Sequence, residues 1–325
     1  MSAAACMRMY EPHKQVSSDS EPFVIPNLPG EIKLTKKQVP DFLKNEEETD
    51  MTEFLNALRA SHGKNYGTLV NSFYELEQPY VEFQKNVLKS KVWHIGPVFL
   101  SNSSGTVKNT EQNESLIKWL DSKKPSSVVY ICFGSISTLG ESQLREIELG
   151  LEASGQQFIL VVSKTSKKFD GNQGEEKEVE VTSEGKGLII RGWAPQVLIL
   201  NHQAVGGFVT HCGWNSILEG VCAGLPMVTW PGSADQFYNE KFLTDVLKIG
   251  VSIGAQEYWV THAGETVKKE AIEKAVKQLL AGDEAVELRN RAKGLSEMAK
   301  QAVKEGGSSY SDLNVFMEEL KARRH

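Results

Sequence analysis

Residues 193–236 read WAPQVLILNHQAVGGFVTHCGWNSILEGVCAGLPMVTWPGSADQ, and the order of residue types in this run sets the fold class. Val205-Gly206-Gly207-Phe208-Val209-Thr210 is a short apolar stretch with a β-branched bias, the pattern of a strand buried on both faces of a parallel sheet. His211-Cys212-Gly213 turns the chain, and Asn215-Ser216-Ile217-Leu218-Glu219 opens a helix that Gly224 and Pro226 close. Met227-Val228-Thr229-Trp230 then returns as the next strand. Strand, turn, helix, strand is one turn of a wound α/β sheet.

The same alternation extends outward on both sides. Strands are expected at 127–133, 157–163, 187–191 and 250–254, with helices at 141–153, 264–281, 284–304 and 309–322. This predicts a parallel, doubly wound sheet. Residues 164–186, with Glu175-Glu176-Lys177-Glu178, read as a solvated surface loop without chemistry. Before the sheet lies a polar Ser/Asn/Lys-rich linker spanning about 101–124. Further upstream, 66–73 reads as a strand, 75–87 as a helix and 92–98 as a strand, while 1–64 is irregular apart from a helical pattern over 51–60. No internal repeat is present.

Composition narrows the function classes. The 325 residues are 40% hydrophobic, enough for one large or two modest cores, and carry a net charge of −6. There is no basic stripe, so nucleic acid is a poor partner. The four cysteines, Cys6, Cys132, Cys212 and Cys222, have no CxxC or Cys/His metal spacing and read as free thiols. No stretch approaches 18 apolar residues, so no transmembrane segment is expected, and the first residues lack a signal-peptide pattern. The cytosol is the expected compartment. G-x-G-x-x-G after a strand and P-loop patterns are both missing, which speaks against dinucleotide redox and ATP chemistry.

Open α/β sheets bind ligands where strand carboxyl ends feed helix N-termini. The N–H groups and the positive dipole end there favour phosphate without a metal. His211, Asn215 and Ser216 add polar side chains at that point, and Trp193 offers an aromatic plate. A ligand-free reading fits the same spacing: Ser216-x-x-Glu219 matches a capping box, Asp235 can cap the helix that follows it, and a Trp is often simply core.

The run at 193–236 closely resembles the signature box of the plant UDP-dependent glycosyltransferases of secondary metabolism. That resemblance implies a role for each position. Trp193 stacks on uracil and the Ala194 backbone reads its edge. Gln196 and Glu219 bind the ribose, and His211, Asn215 and Ser216 hold the diphosphate. Trp214, Asp235 and Gln236 line the sugar. Upstream, Cys132-Phe133-Gly134-Ser135 looks like the family's second phosphate contact, through Ser135. Phe23-Val24-Ile25-Pro26-Asn27-Leu28-Pro29 and Leu69-Val70-Asn71-Ser72-Phe73-Tyr74-Glu75-Leu76-Glu77 are similar to the later half of the family's acceptor-binding lobe. The implied fold is α/β with two Rossmann-like lobes of the GT-B type, the donor lobe complete and the acceptor lobe partial. Its divisions are a partial acceptor lobe at 1–100, a linker at 101–124, the donor lobe at 125–305 and a C-terminal helix at 306–325.

The implied activity is an inverting UDP-glycosyltransferase that moves a sugar from a UDP-sugar donor to a hydroxyl of a small hydrophobic plant metabolite, of triterpenoid or flavonoid type. No cofactor or metal is implied. Gln236 goes with glucose in the family, leaving galactose and glucuronic acid as alternatives. The family's general base is a His after the first strand of the acceptor lobe, oriented by an Asp. None of the seven histidines follows an opening strand in that way, and His13 and His94 read as structural. No catalytic residue is therefore assigned, and the chain reads as amino-terminally truncated and inactive or weak alone. The alternative is a non-catalytic UDP-sugar-binding protein that interferes with a full-length relative.

Overall fold

The computed structural model describes residues 2–44, 50–62, 64–101, 111–134, 139–162, 179–182, 185–258 and 266–323. Among these the strands run, in chain order, β1 (Phe23–Val24), β2 (Lys33–Leu34), β3 (Thr68–Val70), β4 (Val92–His94), β5 (Val128–Cys132), β6 (Gln157–Val162), β7 (Val179–Val181), β8 (Gly187–Arg191), β9 (Val205–Thr210), β10 (Met227–Thr229) and β11 (Gly250–Ser252). The chain divides into two compact units, Met1–Gly105 with Leu295–His325, and Thr106–Gly294.

The second unit is built on one sheet in the order β11-β10-β9-β5-β6-β8-β7. All neighbours are parallel except the edge pair β7 and β8. Counted in chain order, the parallel strands follow the doubly wound order 3-2-1-4-5-6, which reverses direction between β5 and β9. Those two central strands are the most apolar: every residue of β9 is buried, and so are Val128 to Ile131 of β5. A Cβ on Gly207 would lie 2.3 Å from Leu279 Cδ2, so the helix Lys269–Ala281 rests directly on the strand backbone. That helix also packs on the helix Glu141–Ser154. Glu146 Oε2 accepts the Lys269 N–H at 2.8 Å, which holds its carboxyl below the usual range. Gln143 exchanges two hydrogen bonds with the Val267 backbone.

In the first unit, β3 and β4 pair in parallel, and the helix Tyr74–Asn86 lies between them in sequence. The helix Ser308–Ala322, read from sequence as a separate terminal element, packs here. Asp312 Oδ2 accepts the His94 N–H at 2.7 Å, Ser309 Oγ donates to the Gly96 carbonyl at 2.6 Å, and Phe316 meets the Trp93 ring edge-on at 4.9 Å. His13 and His94 are both buried, at 4% and 2% exposure.

The expected sheet strands and helices are present, with ends shifted by a few residues, whereas several segments read as irregular are helical. Ser2–Tyr10 forms a helix that buries Cys6 and Met7. Within the supposed linker, Glu111–Asp121 is a helix with Leu116 and Leu120 buried at 1% and 0% exposure. Burying each leucine contributes about 1.5–3 kcal/mol, enough to order a segment whose composition is otherwise polar. The loop expected at 164–186 carries β7 against β8; residues 163–178 lie outside the described set.

One buried acid stands out in the sheet. Glu240 is 1% exposed and accepts hydrogen bonds from Thr229 Oγ1 at 2.7 Å and Ser252 Oγ at 3.3 Å, at the ends of β10 and β11. Burial pushes its carboxyl up to about 7 from an ordinary 4.5. A carboxyl raised in the folded state stabilises the fold below its unfolded value, and this contribution disappears as pH rises through the folded one. The shift corresponds to about 3 kcal/mol, lost between roughly pH 4.5 and 7. Glu240→Gln should remove this dependence: chemical denaturation of wild type and variant at pH 5 and pH 8 should show a smaller stability difference between the two pH values in the variant.

Candidate functional site

The strand order reverses between β5 and β9, the point at which open α/β sheets bind ligands beyond their strands' carboxyl ends, and the turns after β5, β9 and β10 touch one another there. β9 runs through Thr210 and His211 into Cys212, which has φ +64, and the chain then enters the helix Trp214–Ala223. A non-glycine residue in this left-handed region needs support. The Cys212 N–H is held by Thr210 Oγ1 at 3.2 Å, and its carbonyl accepts Asn239 Nδ2 at 2.9 Å. Gly213 is the N-cap of the helix, and no side chain caps it. The positive end of the helix dipole lies at this turn.

That N-cap decides between the two sequence readings of Ser216. With Gly213 as the cap, Ser216 is the third residue of the helix, so it cannot be the cap of a capping box with Glu219. Instead both residues face Gln196. Gln196 Nε2 donates to Glu219 Oε2 at 2.6 Å and lies 3.3 Å from Ser216 Oγ, while Tyr130 donates its hydroxyl to Gln196 Oε1 at 3.2 Å. Burial pushes the Glu219 carboxyl up, and the Gln196 amide partly offsets this. Three residues before Gln196, Trp193 follows Gly192 (φ +101) with 74% of its surface exposed. It is not a core tryptophan. Ala194 is buried.

His211 stands between two backbones. A Cβ on Gly134 would lie 2.8 Å from its Cε1, and one on Gly213 would lie 2.4 Å from its Nε2. Its Nδ1 is buried and has no hydrogen-bond partner among the described residues. Burial lowers its pKa, partly opposed by the Asp235 carboxylate and the Cys132 backbone, so the ring is neutral at pH 7. Ser135 lies outside the described residues.

The third turn carries Asp235 and Gln236. Gln236 Oε1 accepts the Gly232 and Ser233 N–H groups at 2.8 and 2.9 Å. Ala234, at φ +54, donates its N–H to the Tyr258 hydroxyl at 3.1 Å. Asp235 occupies the N-cap position of the helix Gln236–Lys241 but makes no capping bond, so the simple capping reading fails here too. Its Oδ2 accepts Asn239 Nδ2 at 3.0 Å. Trp214 is half-buried with its ring 6.2 Å from Phe242, and Asn215 is exposed at the start of its helix.

A crevice with an exposed indole, a carboxylate–amide pair, an uncapped helix N-terminus and a second carboxylate has the parts needed for a nucleotide sugar. The family model for UDP-glucoronosyl and UDP-glucosyl transferases matches residues 41–293. The chain belongs to this glycosyltransferase family. It is 50% identical to the anthocyanin 3'-O-beta-glucosyltransferase of Gentiana triflora, over 100% of this chain and 70% of that protein. It is 51% identical to the UDP-glucose flavonoid 3-O-glucosyltransferase 7 of Fragaria ananassa, over 98% of this chain and 67% of that one. Among solved structures it resembles a Glycyrrhiza uralensis glycosyltransferase complexed with glycyrrhetinic acid 3-O-monoglucuronide, with a TM-score of 0.87 and 41% identity over 99% of this chain and 66% of that one. A Medicago truncatula glycosyltransferase complexed with UDP-glucose matches with a TM-score of 0.78 and 31% identity over 98% and 68%. The chain thus spans about two thirds of the length of the glycosyltransferases it matches.

Reading this glycosyltransferase from sequence missed Tyr130, Asn239 and Tyr258, which hold the site's side chains and turns in place. Asn239 follows Asp235 by four positions, a helical spacing that marks it as a partner. Tyr130 sits inside an unbroken apolar strand and gives no such signal. The crowding around His211 has a measurable result. Gly213 has φ −64 and ψ 137, which any residue can adopt, so Gly213→Ala meets only the imidazole. In an NMR titration His211 should protonate below the ordinary 6.5 in wild type and closer to it in Gly213→Ala, as the ring is pushed toward water.

Proposed function

We propose that this chain carries the donor site of an inverting glycosyltransferase that moves glucose from UDP-glucose to a hydroxyl of a small hydrophobic plant metabolite. The observation that carries the reading is that the site's groups all lie in the segments that follow the carboxyl ends of β8, β9 and β10. Trp193 follows β8, the Gln196–Glu219–Ser216 cluster comes next, His211 and the helix N-terminus lie at β9, and Asp235 with Gln236 follow β10. Base, ribose, diphosphate and hexose each need a partner of one of these kinds.

In this reading Trp193 stacks on the uracil and the Ala194 backbone meets its edge. Glu219 and Gln196 take the ribose hydroxyls in place of their bond to each other. His211, Asn215, Ser216 and Ser135 hold the diphosphate, and Trp214, Asp235 and Gln236 contact the hexose. The Gln236 carbonyl is already occupied by two backbone N–H groups, which leaves its NH2 to face a sugar hydroxyl. The acceptor oxygen attacks the anomeric carbon from the face opposite UDP, the C1–O bond to the β-phosphate breaks, and configuration inverts through an oxocarbenium-like state. Charge that develops on the departing diphosphate is met by the helix N-terminus and by donors already in place. The base that takes the acceptor proton is not assigned here; such a group contributes about 10²–10⁴-fold. Support for the substrate class comes from the relatives, which are named for anthocyanin, flavonoid and scopoletin glucosylation. The donor part of this scheme lies within the unit Thr106–Gly294.

Calorimetric titration with UDP tests the assignment. Glu219→Ala should weaken UDP binding by at least about tenfold, since a hydrogen bond to a charged group contributes about 1.5–3 kcal/mol. Trp193→Ala should lose a stacking contact of about 1–3 kcal/mol. Unchanged affinity in both variants would overturn the nucleotide placement.

A further inference from the structure

We propose that Asn239 is a positioning residue that sets the Asp235 carboxylate for the donor sugar by tying it to the phosphate-side turn at Cys212. This inference rests on the donor-site reading above. Asn239 is 9% exposed, and its Nδ2 lies 2.9 Å from the Cys212 carbonyl and 3.0 Å from Asp235 Oδ2. Both partners are pure acceptors, so only the amide NH2 can face them, and its two hydrogens satisfy one each. Cys212 sits at φ +64 one residue after His211. Asp235 is otherwise exposed and lies close enough to raise the His211 pKa against the effect of burial. One side chain therefore bridges the turn beside the diphosphate position and the carboxylate beside the hexose position.

The helix that carries Asn239 gives it a fixed base. Gln236, at one end, is bound through its side chain to the Gly232 and Ser233 backbone. Glu240, next to Asn239, is bound to Thr229 and Ser252 at the ends of β10 and β11. With the helix held on both sides, the Asn239 amide has little freedom to move, and the direction of the Asp235 carboxylate follows from it. A purely structural Asn239 would stabilise the Cys212 turn alone and would affect UDP and UDP-glucose equally. A positioning Asn239 acts on the sugar.

The ratio of UDP-glucose to UDP affinity separates these cases. It would be measured by calorimetry on the full chain for wild type, Asp235→Ala, Asn239→Ala, Asn239→Asp and the double variant Asn239→Ala/Asp235→Ala. Asn239→Asp keeps the shape while removing the donor, so it remains informative where the alanine variant folds poorly, and melting curves report on folding. The expected result is that both Asn239 variants lower the ratio about tenfold, to the value of Asp235→Ala, with no further loss in the double variant. A ratio that falls in Asp235→Ala but not in the Asn239 variants, or losses that add in the double variant, would overturn this proposal while leaving the donor site standing. Wild type that binds neither nucleotide would overturn the donor site itself, and this inference with it.

Discussion

The site depends first on a shortage of space around one imidazole. His211 is enclosed by backbone on two sides, at Gly134 after β5 and at Gly213 after β9, and a methyl group at either position would collide with the ring. The two strands are neighbours in parallel register, with Cys132 opposite Thr210, so their ends arrive together and both turns must lack a side chain. Once the ring is fixed, Cys212 is forced into a left-handed conformation that needs a partner for its carbonyl. Asn239 is that partner. The doubly wound order explains why this happens between β5 and β9: only there do the following connections part to opposite faces and leave strand ends uncovered.

Two buried carboxylic acids show how differently one sheet edge can treat the same group. Glu219 is partly buried and held by the Gln196 amide at 2.6 Å. Glu240 is sealed between strand ends and held by two hydroxyls. The first can exchange its hydrogen bond with an incoming ligand, while the second has only protein to bond with. Both acids are pushed upward by burial, so the direction of a shift does not by itself tell them apart. Access does.

How much of this was legible in the sequence varied with how local the deciding forces were. β5, β8 and β9 were readable because strands covered on both faces need continuous apolar runs, and Gly224 with Pro226 marked the end of the helix after His211. The carboxyl-end crevice followed from that alternation. The helix Glu111–Asp121 was hidden because Leu116 and Leu120 are outnumbered by polar neighbours, and only their burial reveals the face they form. The pattern Ser216-x-x-Glu219 left a capping box open because the spacing alone does not say which residue starts the helix; that is set by the His211 turn, which makes Gly213 the cap. Tyr130 and Tyr258 act across 66 and 24 positions of sequence, distances over which no spacing rule operates.

The placement of the helix Ser308–Ala322 has a consequence for synthesis. Its Asp312 and Ser309 bond to His94 and Gly96, and the unit that includes residues before Gly105 takes up the chain again only from Leu295. During translation the whole of Thr106–Gly294 therefore leaves the ribosome before the first unit has its last helix. The wound sheet can close on its own core as it emerges. The earlier segment must wait, with Trp93 and its neighbours uncovered, until Ser308–Ala322 has been made. Emergence of that helix, rather than of its own sequence, sets when that unit can finish folding.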